Sequence, residues 1–225
     1  MTDHTDHSLR DSAATAGEVE LVAAERVVFF SDAVAAIAIT LLALALPPPH
    51  VGPDATNGDM LHALSELRTA YVPFLISFVV IGAHWRSHHR LFRSVARLDT
   101  FVIAVNMVWL LMIIITPYAT RVLSVVGDHD FGVGFGLYAV IQVITLLAFW
   151  VMSRHLRDSS LLRPGVPTPL SSTDEALVLT VAAMFAISVP IGFVTRWAYL
   201  CWVATAIVTR WIRRARQWTA RKQER

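Results

Sequence analysis

The chain has 225 residues, of which 55% are hydrophobic and 16% are charged, and its mean hydropathy is +0.55. That is more apolar surface than a soluble domain of this length needs to bury, so the composition argues against an ordinary soluble enzyme and indicates a membrane protein. The pI of about 9.0 arises from arginines near the ends of apolar segments, which favours contact with anionic lipid over nucleic-acid binding.

The apolar runs predict an all-α protein with six transmembrane helices. Residues 1–20 are polar, with mixed charges, and predict a disordered cytoplasmic segment. The first span runs from about Val22 to Leu46, which is long enough to cross a hydrocarbon core of about 30 Å. The other predicted spans are residues 70–83, with an amphipathic lead-in from Leu61, and residues 101–120, 131–152, 176–194 and 197–212.

The arginines predict the orientation of these spans. They cluster after the second span, after the fourth span and in the C-terminal tail, whereas the links on the other side carry very few. Since Lys and Arg concentrate in cytoplasmic loops, both termini are predicted to be cytoplasmic. The resulting organisation is a cytoplasmic segment (1–20), a six-helix channel domain (21–214) and a basic tail (215–225).

Motifs of soluble enzyme chemistry are not found in the sequence. It has no Gly-rich phosphate loop, no C-x-x-C pair and no G-x-S-x-G, and its single cysteine, Cys201, cannot form an intramolecular disulfide. His84 and His88 have the i, i+4 spacing of metal ligands, but no third ligand is evident. We therefore expect no enzymatic activity, no cofactor and no metal site.

Asp32 is an ionisable residue inside the first span, and such residues usually face protein or mark an ion pathway. The start of the first span and the end of the second lie in the same predicted leaflet. Polar groups at these ends would be costly to leave without partners. We therefore expect them to form one network, whose members are Arg26, Ser31, Asp32, His84, Trp85 and His88. Its expected role is mainly structural, and a direct role in permeation or proton sensing is left open.

A stripe of side chains follows one face of the first span. At 100° per residue, Ala33, Ile37, Thr40 and Leu44 fall within a sector of about 60°. The other faces are rich in alanine, which permits close helix packing and places this span centrally. Ordinary interhelical packing would also account for the stripe.

The motif Arg26-x-x-x-Phe30-Ser31-Asp32, followed by the A-I-A-I-T-L-L run at 36–42, resembles the signature of the transmembrane protein 175 potassium-channel family. The resemblance continues in the next two spans, and covers about residues 26–120. The matching residues there are Trp85-x-x-His88-His89-x-Leu91-Phe92, Asp99, Asn106 and Pro117.

The resemblance implies a potassium channel without the usual filter loop. Bacterial members with one six-helix repeat assemble as homotetramers, with the first helix of each of the four subunits lining the pore. By position after the motif, Ile37 corresponds to the principal hydrophobic constriction, Thr40 to a hydroxyl ring and Leu44 to a further apolar ring. Such rings gate by dewetting, and potassium selectivity should be modest. Ala35 stands where a bulkier residue is expected.

Two other functions remain open at this stage. A proton-coupled secondary transporter would use Asp32 and the histidines of the second span as a relay. A non-conducting scaffold would carry no flux. The large excess of arginine over a single lysine, Lys222, is typical of a GC-rich bacterial source and hence favours a multi-pass protein of the plasma membrane.

Overall fold

The computed structural model describes residues 3–125, 131–163, 172–202 and 204–205. The predicted all-α class is confirmed over these ranges. The named helices are α1 (Asp3–Leu44), α2 (Asn57–Glu66), α3 (Arg68–Phe92), α4 (Thr100–Val125), α5 (Phe131–Asp158) and α6 (Ser172–Val194), and a 3-10 helix follows at Arg196–Ala198.

Among the described residues, four helical segments are long and apolar enough to cross a membrane: Leu21–Leu44, Thr100–Val125, Phe131–Asp158 and Asp174–Val194. A fifth span is possible if α2 and α3, which are bent by 59° at their junction, are taken together. The protein is thus a multi-pass membrane protein. Half of the predicted sixth span, residues 197–212, lies outside the described residues.

Helix α1 begins earlier than the sequence predicted. The segment 1–20 was expected to be disordered, whereas the helix extends back to Asp3. Alanines and glutamates, which favour helix, are frequent between residues 13 and 25, and extending a formed helix costs far less than nucleating one. Only the part from Leu21 onward is apolar enough to span a membrane.

The lead-in to the second span is a separate short helix. Thr56 caps α2 through a reciprocal pair of bonds: its side chain accepts from the Asp59 backbone N–H, and the Asp59 carboxylate accepts from the Thr56 backbone N–H. The helix ends at Glu66, and α3 begins at Arg68 in a new direction. It then continues past the predicted end at Ala83 to Phe92.

The helices pack in a simple order, with α1 against α3 and α4, α4 against α5, and α5 against α6. One apolar cluster joins α1, α3, α4 and the end of α5, and a second joins α5, α6 and the residues after the 3-10 helix. In the second cluster the rings of Phe135 and Trp202 stack at 4.4 Å. Gly192 is needed beside them, because a Cβ there would lie 2.5 Å from the Phe135 ring.

The link after α3 and the link after α5 lie together. The Ala96 backbone N–H donates to the Leu161 carbonyl at 2.8 Å, and the Arg163 backbone N–H donates to the Ser94 carbonyl at the same distance. Two of the arginine-rich links therefore occupy one end of the molecule, as the predicted orientation requires. That this end is cytoplasmic stays a prediction.

Candidate pore helix and its polar network

Within its membrane-spanning part, α1 has two unlike faces. One face is buried against α3 and α4, and it consists mainly of small side chains: Ala24, Ser31, Ala35, Ala38 and Leu42. Ala35, where a bulkier residue was expected, lies on this face with 1% of its surface exposed. The small residue thus permits close packing of α1 on its neighbours.

The predicted stripe lies on the other face. Ala33, Ile37, Thr40 and Leu44 are all exposed in the single chain, Ile37 by 58% and Leu44 by 82%. At 100° per residue, the centre of the stripe is about 160° from the centre of the buried face. The Thr40 hydroxyl donates to the Ile37 carbonyl at 2.8 Å, which leaves the oxygen lone pairs of the hydroxyl available.

Asp32 joins α1 to α3 at the edge of the buried face. Its carboxylate accepts from the Trp85 indole N–H at 2.9 Å and lies 3.2 Å from His89 Nδ1. Trp85 and His89 are four residues apart, so both side chains project from the same face of α3. Asp32 is half-buried rather than sealed in the interior.

Asn106 joins three helices at one buried point. Its Oδ1 lies 2.8 Å from His88 Nε2 on α3, and its Nδ2 donates to the Ser31 hydroxyl on α1 at 3.2 Å. The Ser31 hydroxyl in turn donates to the Val27 carbonyl at 2.8 Å. Because Asn106 Oδ1 can only accept, His88 Nε2 carries a hydrogen.

The His88 ring is also fixed by stacking. Its centroid lies 4.2 Å from that of Phe92 and 4.3 Å from that of Trp109. His88 and Asn106 are both fully buried. This packing holds α1, α3 and α4 in one arrangement.

Of the residues predicted to form one network, Ser31, Asp32, Trp85 and His88 lie near one another, but they are divided between the Asp32 and Asn106 groups. His84 belongs to neither, since its Nε2 lies 3.0 Å from Gln142 Oε1 on α5. The prediction that His84 joins the Asp32 network is therefore wrong in this structure. His84 and Trp85 are adjacent in the sequence and project about 100° apart, so they meet different helices.

Arg26 also lies outside the network, contrary to the prediction. It is exposed, and no hydrogen bond or ion pair joins it to a described residue. At 100° per residue it falls on the side of the predicted stripe, away from α3 and α4. Phe30 is exposed as well, by 54%.

The predicted network did not include three residues that take part in these polar contacts: His89, Asn106 and Gln142. Asn106 and Gln142 are polar residues within strongly apolar spans, which is itself a signal of a buried polar contact. Among the described residues, no three His, Cys, Asp or Glu side chains lie close enough to hold a metal ion.

A further polar contact lies where the two arginine-rich links meet. Asp99 caps α4 by accepting from the Val102 backbone N–H at 2.8 Å, and its other oxygen lies 2.6 Å from His155 Nε2 on α5. The Val102 N–H, and after it the His155 contact, hold the pKa of Asp99 below its usual value.

Comparisons with known proteins identify the family of the chain. Residues 26–117 match the family described as endosomal/lysosomal potassium channel TMEM175. A protein named potassium channel from Streptomyces collinus is 33% identical over 174 residues, which cover 76% of this chain and 82% of that protein. A potassium channel from Chamaesiphon minutus is 34% identical over 131 residues, 58% of this chain and 64% of that protein.

Two other matches extend the comparison. The Gallus gallus protein named endosomal/lysosomal proton channel TMEM175 is 36% identical over 110 residues, but these cover only 22% of its length. The crystal structure of a TMEM175 homolog from Chamaesiphon minutus, described as a lysosomal potassium-selective channel, superposes with a TM-score of 0.68 at 23% identity, over 85% of this chain and 96% of that one. The fold is shared with this structure, and the relative from Streptomyces is similar over most of its length. The chain therefore belongs to the TMEM175 family.

Proposed function

We propose that four copies of this chain form a potassium-permeable cation channel, with α1 of each subunit lining a central pore. The observation that carries the proposal is the exposed stripe of α1. In a single chain this stripe is uncovered, although the opposite face of the same helix is fully packed. A central helix with one uncovered face fits a role at a symmetry axis.

One such helix cannot enclose a conduit, so symmetric association is required. With Ile37, Thr40 and Leu44 facing the axis, each residue would contribute to a ring of four side chains. The Ile37 and Leu44 rings would gate by dewetting, and the Thr40 hydroxyls would supply oxygens to a partly hydrated ion. Selectivity for potassium over sodium should then be modest.

The names of the bacterial relatives support potassium as the permeant ion. We further propose six spans with both termini in the cytoplasm of a bacterial cell, no cofactor and no enzymatic activity. The contact between the two arginine-rich links supports this orientation, because it requires both to lie on one side. The surrounding lipid is the other partner of the assembly.

The alternative, a proton-coupled transporter, has less support. It needs a relay from Asp32 through the α3 histidines, whereas His84 and His88 bond to Gln142 and Asn106 instead. Asp32 contacts only His89 among these histidines, and it does so at the edge of a packed interface. This arrangement favours a structural role for the network.

The proposal is tested by reconstitution in planar bilayers with asymmetric potassium and sodium. We expect unitary currents with a reversal potential shifted toward that of potassium. Saturable, gradient-driven flux without unitary currents would favour the transporter, and neither kind of flux would favour a scaffold. Native mass spectrometry of the active preparation should give tetramers, and monomers alone would count decisively against a central pore.

A further inference from the structure

The buried amide of Gln142, in the middle of α5, has a hydrogen-bond partner among the described residues at one end only. Its Oε1 lies 3.0 Å from His84 Nε2, whereas its Nε2 has no acceptor among the described residues. The side chain is 0% exposed. Exchanging the amide oxygen and nitrogen would move the unpaired end from a donor to an acceptor without removing it.

A second polar group lies one helical turn away. Tyr138, four residues before Gln142, is also fully buried, and its hydroxyl lies 3.2 Å from the Ser77 hydroxyl on α3. Ser77 lies 2.7 Å from Thr120 Oγ1 on α4, and Thr120 donates to the Thr116 carbonyl. Whichever way these hydroxyl hydrogens point, the Tyr138 hydroxyl keeps a hydrogen or a lone pair unused.

The two unused groups lie at the same interface. Side chains at i and i+4 lie side by side on a helix, and both Gln142 and Tyr138 contact α3. A water molecule that makes two hydrogen bonds of about 2.8 Å joins polar atoms up to about 5.6 Å apart. Buried waters in proteins typically bind about three polar groups that would otherwise have no partner.

Two other buried N–H groups, the indoles of Trp109 and Trp150, also have no described acceptor. Trp109 stacks on His88, and Trp150 lies beside Arg154. At Gln142, a fully buried hydroxyl lies one turn away on the same helix, and both side chains contact α3. The site at Gln142 is therefore the best defined of the three.

We infer that each subunit holds an internal water molecule between α3 and α5, bound by the Gln142 amide and the Tyr138 hydroxyl. The water joins the Ser77–Thr120–Tyr138 group to the His84–Gln142 pair, so that one continuous chain of hydrogen bonds links α3, α4 and α5. The site lies away from the exposed stripe of α1, and the inference does not rest on the proposed pore.

A high-resolution structure of the purified protein in lipid tests the site directly. We expect solvent density within hydrogen-bonding distance of both the Gln142 amide and the Tyr138 hydroxyl, and its loss in Gln142→Met, which keeps the length of the side chain. A Gln142 amide bonded at both ends to protein, or a site without density at a resolution that shows other buried waters, would overturn the inference.

A double-mutant cycle gives a second test that needs no map. Gln142 and Tyr138 share no described hydrogen bond, so without a bridging water the losses in melting temperature of Gln142→Met and Tyr138→Phe should depart from additivity no more than those of a control pair on the same helix. We expect the double variant to lose clearly less than the sum.

The control cycle pairs Tyr138→Phe with Thr145→Val. Thr145 is buried on the same helix, and its hydroxyl bonds to the Ile141 carbonyl of that helix, so this pair should be additive. Additivity in both cycles would overturn the inference. Tyr138→Phe removes only a hydroxyl group, so this variant should fold and can be used in both cycles.

Discussion

The two faces of α1 differ in what their side chains contact. The buried face carries alanines, Leu42 and Ser31, and it is fixed by hydrogen bonds to α3 and α4. The exposed face carries Ile37, Thr40 and Leu44, none of which packs within the single chain. One helix thus holds the subunit together on one side and presents a surface for association and permeation on the other.

This division separates the effects of substitutions. Changes on the buried face should alter folding and tetramer yield, with ion preference preserved in the channels that still form. Changes on the exposed face should alter ion preference, with folding preserved. Residues of one type that occur on both faces or on other helices provide matched controls.

The largest effect is expected at Asn106, which fixes the buried face. Asn106→Leu leaves the buried His88 N–H without an acceptor and removes the bond to Ser31, at a cost of about 2–3 kcal/mol in the free energy of unfolding. Thermal unfolding in detergent measures this. Met107→Leu, at the exposed neighbouring position, is the control and should change little. A normal melting temperature in Asn106→Leu would show that the network is not what holds α1.

The next largest effect is expected when leucine replaces a buried alanine of α1, and an exposed alanine of the same helix provides the comparison. Ala38 is buried and Ala33 is exposed. Ala38→Leu overfills a packed interface and should cost about 1–3 kcal/mol in stability. Ala33→Leu should leave stability within about 0.5 kcal/mol and lower the unitary conductance, because it adds bulk to the stripe. Equal losses of stability in the two variants would remove the distinction between the faces.

The sequence was sufficient to place Ile37 and Thr40 on one face of α1 but not to predict the partners of its polar groups. Helical periodicity separates Ile37 and Thr40 from Ala35 and Ala38 without any knowledge of the other helices. The meeting of Asp32 with Trp85 also follows from the topology, since both lie near the same end of adjacent spans. These inferences depend only on spacing along one chain.

The remaining contacts depend on how each helix is rotated about its axis. On α3, His84 and His88 form one stripe, and Trp85 and His89 form another about 100° away. The structure turns the first stripe toward α4 and α5 and the second toward α1. Sequence reasoning combined members of both into one network, because hydropathy does not reveal the rotation of a helix that is apolar on most sides.

On the exposed face, the principal prediction concerns Ile37. Ile37→Asn should hydrate the constriction and reduce the potassium-to-sodium permeability ratio by up to about tenfold, or about 1.4 kcal/mol. Reversal potentials in asymmetric solutions measure the ratio. Ile187→Asn on α6 is the matched control, because Ile187 is 59% exposed and Ile37 is 58% exposed. Unchanged reversal potentials in Ile37→Asn would place the constriction elsewhere.

A smaller effect is expected at Thr40. Thr40→Ala removes a hydroxyl that donates to its own helix and offers only its lone pairs to an ion, so selectivity should fall about twofold or less. Thr40→Ser keeps the hydroxyl and should retain the wild-type ratio. If Thr40→Ser were as impaired as Thr40→Ala, the methyl group and not the oxygen would be the relevant feature.

The smallest effect concerns the pH dependence of the stability of the fold, which the Asp99 cap of α4 should influence. The folded-state pKa of Asp99 is lowered by the Val102 N–H and His155, so ionised Asp99 stabilises the fold above its unfolded pKa of about 3.9. This contribution is lost as the pH falls through the folded pKa. The melting temperature of the wild type should therefore drop more steeply below about pH 4 than that of Asp99→Asn. Asp54→Asn, which removes an exposed carboxylate from the loop after α1, should follow the wild type. Because Asp99 is itself partly exposed, the difference in melting temperature should be small. Parallel curves for all three proteins would show that the Asp99 cap does not help to hold α4 against α1.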